Sequence, residues 1–199
     1  MSCTMSTDGL PTLLKAHAQL AQSRILDAVM AVLDDPDGNA LTVREVARRA
    51  RVSERTVFRH FASRSDLARA AEPRVRQRLA GLVPPATLDE LFGYAELLFP
   101  VLEENQHLVR SLLGSEFGRE VLSNERRNRR VNLQRLLQAT APNAPTTALE
   151  STATSIRLLL SGTSWRFHRD ECGLSLEQTI ARVSHSVRAL VEQLNARAG

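Results

Sequence analysis

The chain has 199 residues, of which 43% are hydrophobic and only 4% aromatic, so one or two domains must be filled mainly by Leu, Val and Ala. The two cysteines exclude a disulfide framework, and no apolar run approaches the roughly 18 residues of a membrane span. The net charge is +4. Because residues 1–20 lack a signal-peptide pattern and no membrane span is predicted, we expect a cytoplasmic protein without a membrane partner.

Helical periodicity recurs along the chain and no strand pattern of any length is found, so the sequence predicts an all-α fold. Residues 1–15 contain Ser, Thr, Gly and Pro and are expected to form a flexible tail. A first helix is predicted from His17 to Leu33, followed by a turn over 34–39. Its apolar positions predicted to face inward are Leu20, Ile25, Val29 and Val32.

Two short helices joined by a tight turn are predicted within residues 41–67. Thr42 is placed to cap the first, with Glu45 as its capping-box partner, and Ser53 is placed to cap the second, over roughly 54–61. The apolar positions predicted to face inward are Val43, Val46, Ala47, Ala50, Val57 and Phe61.

Positive charge is concentrated in this region. Residues 42–82 hold 11 Arg and 4 acidic residues, a net of +7, whereas the rest of the chain holds 15 basic and 18 acidic residues, a net of −3. One interpretation is an ordinary helical hairpin with a solvated Arg face. The alternative, which the clustering favours, is a helix-turn-helix that presents its second helix to the DNA major groove.

The same stretch resembles the TetR family of transcriptional regulators. The matching residues are Thr42-Val43-Arg44-Glu45-Val46-Ala47, Val52-Ser53, Thr56-Val57-Phe58-Arg59-His60-Phe61, Ser63-Arg64 and Leu67. The resemblance implies an all-helical homodimeric repressor with an N-terminal three-helix helix-turn-helix DNA-binding domain and a C-terminal helical ligand-binding and dimerisation domain. The first domain would bind a palindromic operator of double-stranded DNA, and a small molecule bound to the second would release it.

Roles follow from the resemblance position by position. Arg55 and Thr56 would reach base edges, while Phe58 replaces a Tyr that bonds phosphate and could only pack against the backbone. Arg51 replaces a turn Gly, at a cost of about 1 kcal/mol if its φ is positive. The predicted DNA-binding residues are Thr42, Arg44, Arg51, Ser53, Arg55, Thr56, Phe58, Arg59, His60 and Arg64.

A fourth helix should follow Ser63, and Pro73 should kink or break it. The pair Pro84-Pro85 marks the predicted boundary between a DNA-binding domain at 16–83 and a ligand-binding and dimerisation domain at 84–199. Capping boxes, Thr147 with Glu150 and Ser175 with Gln178, are predicted for the last two helices. Predicted helices of the second domain span 88–99 (before Pro100), 101–113, 116–139, 147–170 and 176–195.

The last two predicted helices carry long apolar stripes. A helix that is apolar on more than one side needs partners on more than one side, which favours a four-helix bundle across a dimer axis. The alternative is that both helices lie inside the core of one chain. The predicted interface residues are Ile156, Leu160, Phe167, Ile180, Val183, Val187, Leu190, Val191 and Leu194.

Aromatic and apolar residues of the second domain are candidates for a cavity that binds a small apolar effector. The alternative is that they are ordinary core. These candidates are Phe92, Tyr94, Leu98, Phe99, His107, Phe117 and Trp165.

We expect no metal, cofactor or enzyme activity. Glu104 and His107 have the spacing of di-iron bundles, but a second such pair is missing. His168, Asp170 and Cys172 do not have the spacing of a nucleophile with its base. The leading hypothesis is a ligand-released repressor. The alternatives are a DNA-binding regulator controlled by a protein partner or by abundance, an enzyme, and a non-specific architectural DNA binder.

Overall fold

The computed structural model describes residues 10–35, 41–79 and 82–198, apart from the side chains of 10–14 and 124–126. Regular structure in these ranges is entirely helical, which confirms the all-α prediction. None of the described helices is long and apolar enough to cross a membrane. The N-terminal helices are α1 (Leu10–Leu33), α2 (Val43–Ala50), α3 (Glu54–His60) and α4 (Arg64–Arg78). The C-terminal helices are α5 (Leu88–Glu104), α6 (Gln106–Gly114), α7 (Glu116–Val121), α8 (Ser123–Thr140), α9 (Thr146–Leu159), α10 (Gly162–Arg166) and α11 (Leu176–Ala196), with a π-helical turn at Phe167–Glu171.

Helix α1 begins earlier than the predicted start at His17. Pro11 lies in its first turn, where the missing N–H costs no hydrogen bond, so residues 10–15 of the predicted tail are helical. Residues 1–9 and most of the predicted turn at 34–39 lie outside the described residues. Residues 15–20 are all exposed, and the prediction that Leu20 faces inward is wrong because this part of the helix extends past the core. The other three predicted positions, Ile25, Val29 and Val32, are buried.

Local capping signals define the ends of the N-terminal helices. The Oγ1 atom of Thr42 accepts the N–H of Glu45 at 3.1 Å, and the Oγ atom of Ser53 accepts the N–H of Thr56 at 3.1 Å. The Glu45 carboxylate pairs with two arginines of its own helix, so only half of the predicted capping box forms. A third cap, from Ser63 to the N–H of Asp66, starts α4.

Two prolines predicted to kink or end helices lie inside continuous ones, Pro73 in α4 and Pro100 in α5. Each removes one backbone hydrogen bond, at a cost of about 3 kcal/mol in a helix interior. Buried residues lie on both sides of each proline, Ala71 and Val75 in α4 and Phe99 and Leu102 in α5. Packing on both sides therefore holds each helix together across its proline.

Two long predicted helices are interrupted. The segment 116–139 divides into α7 and α8 at Leu122, and the segment 147–170 divides into α9, α10 and the π-helical turn. Ser161 creates the second break because its Oγ atom accepts the N–H of Ser164 at 3.2 Å and starts a new helix. The predicted capping box of Thr147 and Glu150 does not form, since α9 begins at Thr146 without a side-chain cap. The box of Ser175 and Gln178 is confirmed.

Buried side chains form two hydrophobic clusters. One unites α1–α4 with four residues from α6 and α7, namely Leu108, Leu112, Phe117 and Val121. The other joins α5, α8, α9 and α11 around Trp165 and Phe99. Although α6 and α7 follow the predicted boundary near residue 84, they pack against the N-terminal helices, and Leu79 at the end of α4 contacts both clusters.

Candidate nucleic-acid interface and C-terminal cavities

A left-handed turn connects α2 to α3. Arg51 has φ 56° and ψ 45°, which confirms the positive φ expected of a residue that replaces Gly. Its N–H bonds to the carbonyl of Arg48 at 3.2 Å, and the N–H of Val52 bonds to the carbonyl of Ala47 at 3.0 Å. These bonds satisfy the last carbonyls of α2 and aim α3 away from it. The L side chain at this conformation costs about 1 kcal/mol.

One face of α3 is directed to solvent. Val57 is buried on the opposite side, while Arg55, Phe58 and Arg59 are exposed. Four exposed arginines of the helix-turn-helix have no competing partners among the described residues. Within the described part of the chain, no side-chain hydrogen bond or ion pair is made by Arg44, Arg51, Arg55 and Arg59. Their guanidinium groups are therefore available to phosphates and base edges.

The other predicted contact residues have more varied surroundings. The hydroxyls of Ser53 and Thr56 bond to each other at 2.9 Å. The Nε2 atom of His60 is buried and has no hydrogen-bond partner among the described residues. Arg64 lies 3.2 Å from the carboxylate of Glu116 on α7. Thr42 is exposed as the cap of α2. The DNA contacts assigned to these residues remain predictions.

Some arginines of the basic region brace the domain instead of facing outward. Arg49 donates to the carbonyl of Ala31 at 3.0 Å and pairs with Asp35, which ties α2 to α1. Arg74 donates to the hydroxyl of Ser23 at 2.9 Å and also pairs with Asp27. Sequence reasoning missed these roles because both partners are distant in sequence.

An acidic residue of α2, Glu45, partly neutralises the positive charge of this helix. Arg48 donates to Glu45, and this hydrogen bond is the main reason that the pKa of the Glu45 carboxyl lies below its ordinary value. The exposed pair lies three residues apart on one helix, a spacing visible in the sequence. Arg48 is therefore partly neutralised, in contrast to the four unpaired arginines near α3.

The region from α1 to α4 matches a known protein family. Residues 25–71, from the middle of α1 to α4, match the family described as bacterial regulatory proteins, tetR family. This part of the chain is similar to the DNA-binding region of that family. The matched residues contain α2, the left-handed turn and α3, which together form a helix-turn-helix.

Similar proteins agree with this assignment. The HTH-type transcriptional regulator AlkX of Mycobacterium tuberculosis is 35% identical over 79 residues, which are 40% of this chain and 37% of AlkX. A tetR-family transcriptional regulator from Streptomyces coelicolor superposes with a TM-score of 0.62 at 18% identity, covering 90% of this chain and 88% of its own. A transcriptional regulator from Rhodococcus sp. Rha1 gives 0.59 at 18% identity, covering 87% and 97%. At these identities the two structures establish the fold alone.

The seven residues predicted to line an effector cavity do not converge on one site. Leu98 lines a cavity of about 120 Å³, and Tyr94 lines a neighbouring one of about 40 Å³. Phe99 and Trp165 are fully buried in the C-terminal cluster, while Phe117 belongs to the N-terminal cluster. The two others lie elsewhere: Phe92 lies beneath the guanidinium of Arg188, and His107 is exposed. Their role in ligand binding stays a prediction.

Most of the predicted dimer stripe packs within its own chain. Five of its members are at most 1% exposed inside the C-terminal cluster: Ile156, Val183, Val187, Val191 and Leu194. Leu160 is also buried, and Ile180 and Leu190 are half-buried. Helices α5 and α9 of the same chain cover this face of α11, so the structure supports the alternative of an intramolecular core for these positions. Two large apolar side chains remain exposed in α9 and the π-helical turn, Leu158 and Phe167.

An ion-pair network ties the π-helical turn to α5 and α6. Glu103 accepts the indole N–H of Trp165 at 2.8 Å and two guanidinium N–H groups of Arg169 at 2.7 and 3.0 Å. Arg110 donates to Asp170 at 2.7 Å and lies 5.1 Å from the centre of the Trp165 ring. The hydrogen bond from Arg169 lowers the pKa of Glu103, and that from Arg110 lowers the pKa of Asp170.

This network uses some of the residues considered for catalysis or metal binding. Asp170 faces Arg110, the ring of His168 lies 2.8 Å from the carbonyl of Ser164, and Cys172 is exposed. In the described part of the chain, no three His, Cys, Asp or Glu side chains are grouped so as to hold a metal ion. The side chains of Asp170 and His168 therefore make contacts within the protein.

Proposed function

We propose that the protein is a sequence-specific DNA-binding transcriptional regulator that represses its target by binding a palindromic operator as a homodimer. Binding of a small molecule to the C-terminal part releases the DNA. The observation that carries the proposal is the set of unpaired, exposed arginines around α3, within the residues that match the TetR family. Arg55 is the proposed base-reading residue, because a guanidinium can pair bidentately with guanine. The phosphate contacts go to Arg44, Arg51 and Arg59.

The first experiment is selection of bound duplexes from a random DNA pool by the purified protein at about 0.15 M salt. Enrichment of a palindrome with half-sites about one helical turn apart would support a dimeric regulator. Similar affinity for all duplexes would instead favour the architectural binder, since a specific regulator prefers its site by a factor on the order of 10³ or more.

Arg55→Ala tests the assigned reading role on the selected site. We expect a loss of about 1–3 kcal/mol and relaxed preference at one base position, as for other direct contacts. Arg182→Ala is the matched control, because Arg182 is exposed on α11 and outside the family match. An equal loss on every sequence would assign Arg55 to phosphate binding.

The homodimer is tested at the apolar residues that remain exposed after folding. Leu158 is 59% exposed and Phe167 is 48% exposed, so their replacement by Glu leaves the chain's own core intact. We expect the double variant to sediment as a monomer and to bind the operator more weakly. Leu97→Glu is the control, with 59% exposure on α5. A double variant that still sediments as a dimer would place the interface elsewhere.

A second candidate is a regulator that binds no small molecule and responds to a protein partner or to its own abundance. The division of the apolar space near Leu98 into cavities of about 120, 40 and 250 Å³ favours it, because typical single ligand sites measure roughly 300–1,000 Å³. A thermal shift with any small ligand that also changes operator affinity would exclude this candidate.

A further inference from the structure

Three adjoining cavities extend from the break between α9 and α10 to the end of α4. The cavity at the break, called the main cavity because of this position, has a volume of about 120 Å³ and lies against Leu160 and Gly162. A smaller one of about 40 Å³ continues along Arg157 and Leu160. A third, of about 250 Å³, shares Leu79, Leu82 and Leu122 with the main cavity. Arg129 borders all three. Together they form a bent, mainly apolar space that connects the end of α4 with the α9–α10 break. Glu72 and Arg76 also line the third cavity.

The walls of this space combine leucines with positive charge. No acidic residue lines the main cavity or the smaller one, whereas two arginines do, Arg129 and Arg157. The side chain of Arg157 is half-buried and makes no hydrogen bond or ion pair with any residue in the described ranges. A partly desolvated cation beside apolar walls favours an anionic partner.

The neighbouring polar groups leave Arg157 as the principal anchor. The hydroxyl of Ser161 already donates to the carbonyl of Leu158 at 2.6 Å and accepts the N–H of Ser164. It therefore has no proton to offer a ligand. Arg129 also lines all three cavities, but it already interacts with another group of the protein.

We propose that this space binds a small organic carboxylate. The carboxylate pairs with the guanidinium of Arg157, and the apolar body lies among Leu98, Leu102 and Leu160. An enclosed apolar cavity of about 150 Å³ holds benzene, so the main cavity with its neighbours suits a body of roughly six to ten carbons. This inference rests on the proposed function, in which a small molecule controls DNA binding.

The position of the space connects it to the DNA-binding helices. Leu79 is the residue that follows α4, and it lines the main cavity while contacting both hydrophobic clusters. A ligand that displaces Leu79 shifts the end of α4, whose other side packs in the core beneath the helix-turn-helix. Occupancy and operator affinity are therefore linked through this side chain.

The test compares octanoate with the neutral octan-1-ol on the full chain. The single tryptophan, Trp165, is fully buried in the C-terminal cluster, and its fluorescence follows ligand titration alongside calorimetry. We expect octanoate to bind at least tenfold more tightly than octan-1-ol. Arg157→Gln should weaken octanoate on the order of 10- to 100-fold, as loss of a charged hydrogen bond does. Arg157→Lys should restore part of the affinity, and the control Arg182→Gln should leave it unchanged.

Equal binding of octan-1-ol, or unchanged octanoate affinity in Arg157→Gln, would overturn the proposal. So would the absence of octanoate binding at millimolar concentration. Operator binding by the same samples separates this inference from the proposed function. Octanoate that binds through Arg157 without changing operator affinity would leave the site standing and remove its regulatory role. Release of the operator by a neutral ligand, with no carboxylate bound, would support effector control and refute the carboxylate site.

Discussion

Gly118 is the position at which a single methyl group should have the largest effect on stability. It is buried in α7, and a Cβ atom added there would overlap the carbonyl and Cα atoms of Leu112 in α6. These are backbone atoms, which cannot rotate away as a flexible side chain would. Gly118→Ala must therefore push α7 away from α6.

The magnitude follows from what α7 holds in place. Alanine improves helix propensity by about 1 kcal/mol, whereas overpacking costs about 1–3 kcal/mol. Displacement of α7 also exposes part of Phe117 and Val121, which are at most 2% exposed in the N-terminal cluster. Each of these side chains contributes about 1.5–3 kcal/mol when fully buried. We expect a net loss of about 2–4 kcal/mol in the free energy of unfolding.

Gly93→Ala is the matched control. Gly93 lies inside α5, and no heavy atom lies within 4 Å of its added Cβ atom. This substitution should stabilise the protein by about 0.5–1 kcal/mol, since only the helix propensity changes. Urea unfolding followed by circular dichroism gives both values from the midpoints. A Gly118→Ala protein as stable as the wild type would refute the close approach of α6 and α7.

Two further predictions concern backbone conformation and pH. Arg51→Gly should raise the free energy of unfolding by about 1 kcal/mol, because Gly adopts the left-handed conformation at Arg51 without the steric cost. Arg51→Ala should not raise it. Equal urea midpoints for the two variants would contradict this prediction. The Arg169 hydrogen bond lowers the pKa of Glu103 below its ordinary value of 4.5, so its stabilising contribution is complete above that pH and is lost as the pH falls through the lowered pKa. Urea midpoints should therefore fall less steeply between pH 6 and pH 3 in Glu103→Gln than in the wild type. The control Glu104→Gln, at an exposed neighbouring residue, should behave like the wild type. Parallel curves for all three proteins would argue against the Glu103–Arg169 pair.

Features formed within a few residues could be predicted from the sequence. The caps at Thr42, Ser53 and Ser175 each join a side chain to a backbone N–H three residues later. The left-handed turn at Arg51 likewise depends on its immediate neighbours. The basic helix-turn-helix could therefore be identified before any packing was known.

Features that depend on distant partners could not be predicted. The prolines at 73 and 100 read as helix breakers, but packing on both sides keeps their helices continuous. Arg49 and Arg74 read as part of a basic face, yet they bind Asp35 and Asp27 on other segments. The cavity beside Arg157 likewise arises only where α9, α10 and the end of α4 meet.

The final helix, α11, shows what the sequence determines and what the tertiary structure adds. Its apolar period, through Val183, Val187, Val191 and Leu194, determines which side is buried, because side chains three and four residues apart share a helix face. The same stripe fits a dimer interface or an intramolecular core, since both remove equal apolar area from water. Only the tertiary structure shows that α5 and α9 of the same chain pack against that face.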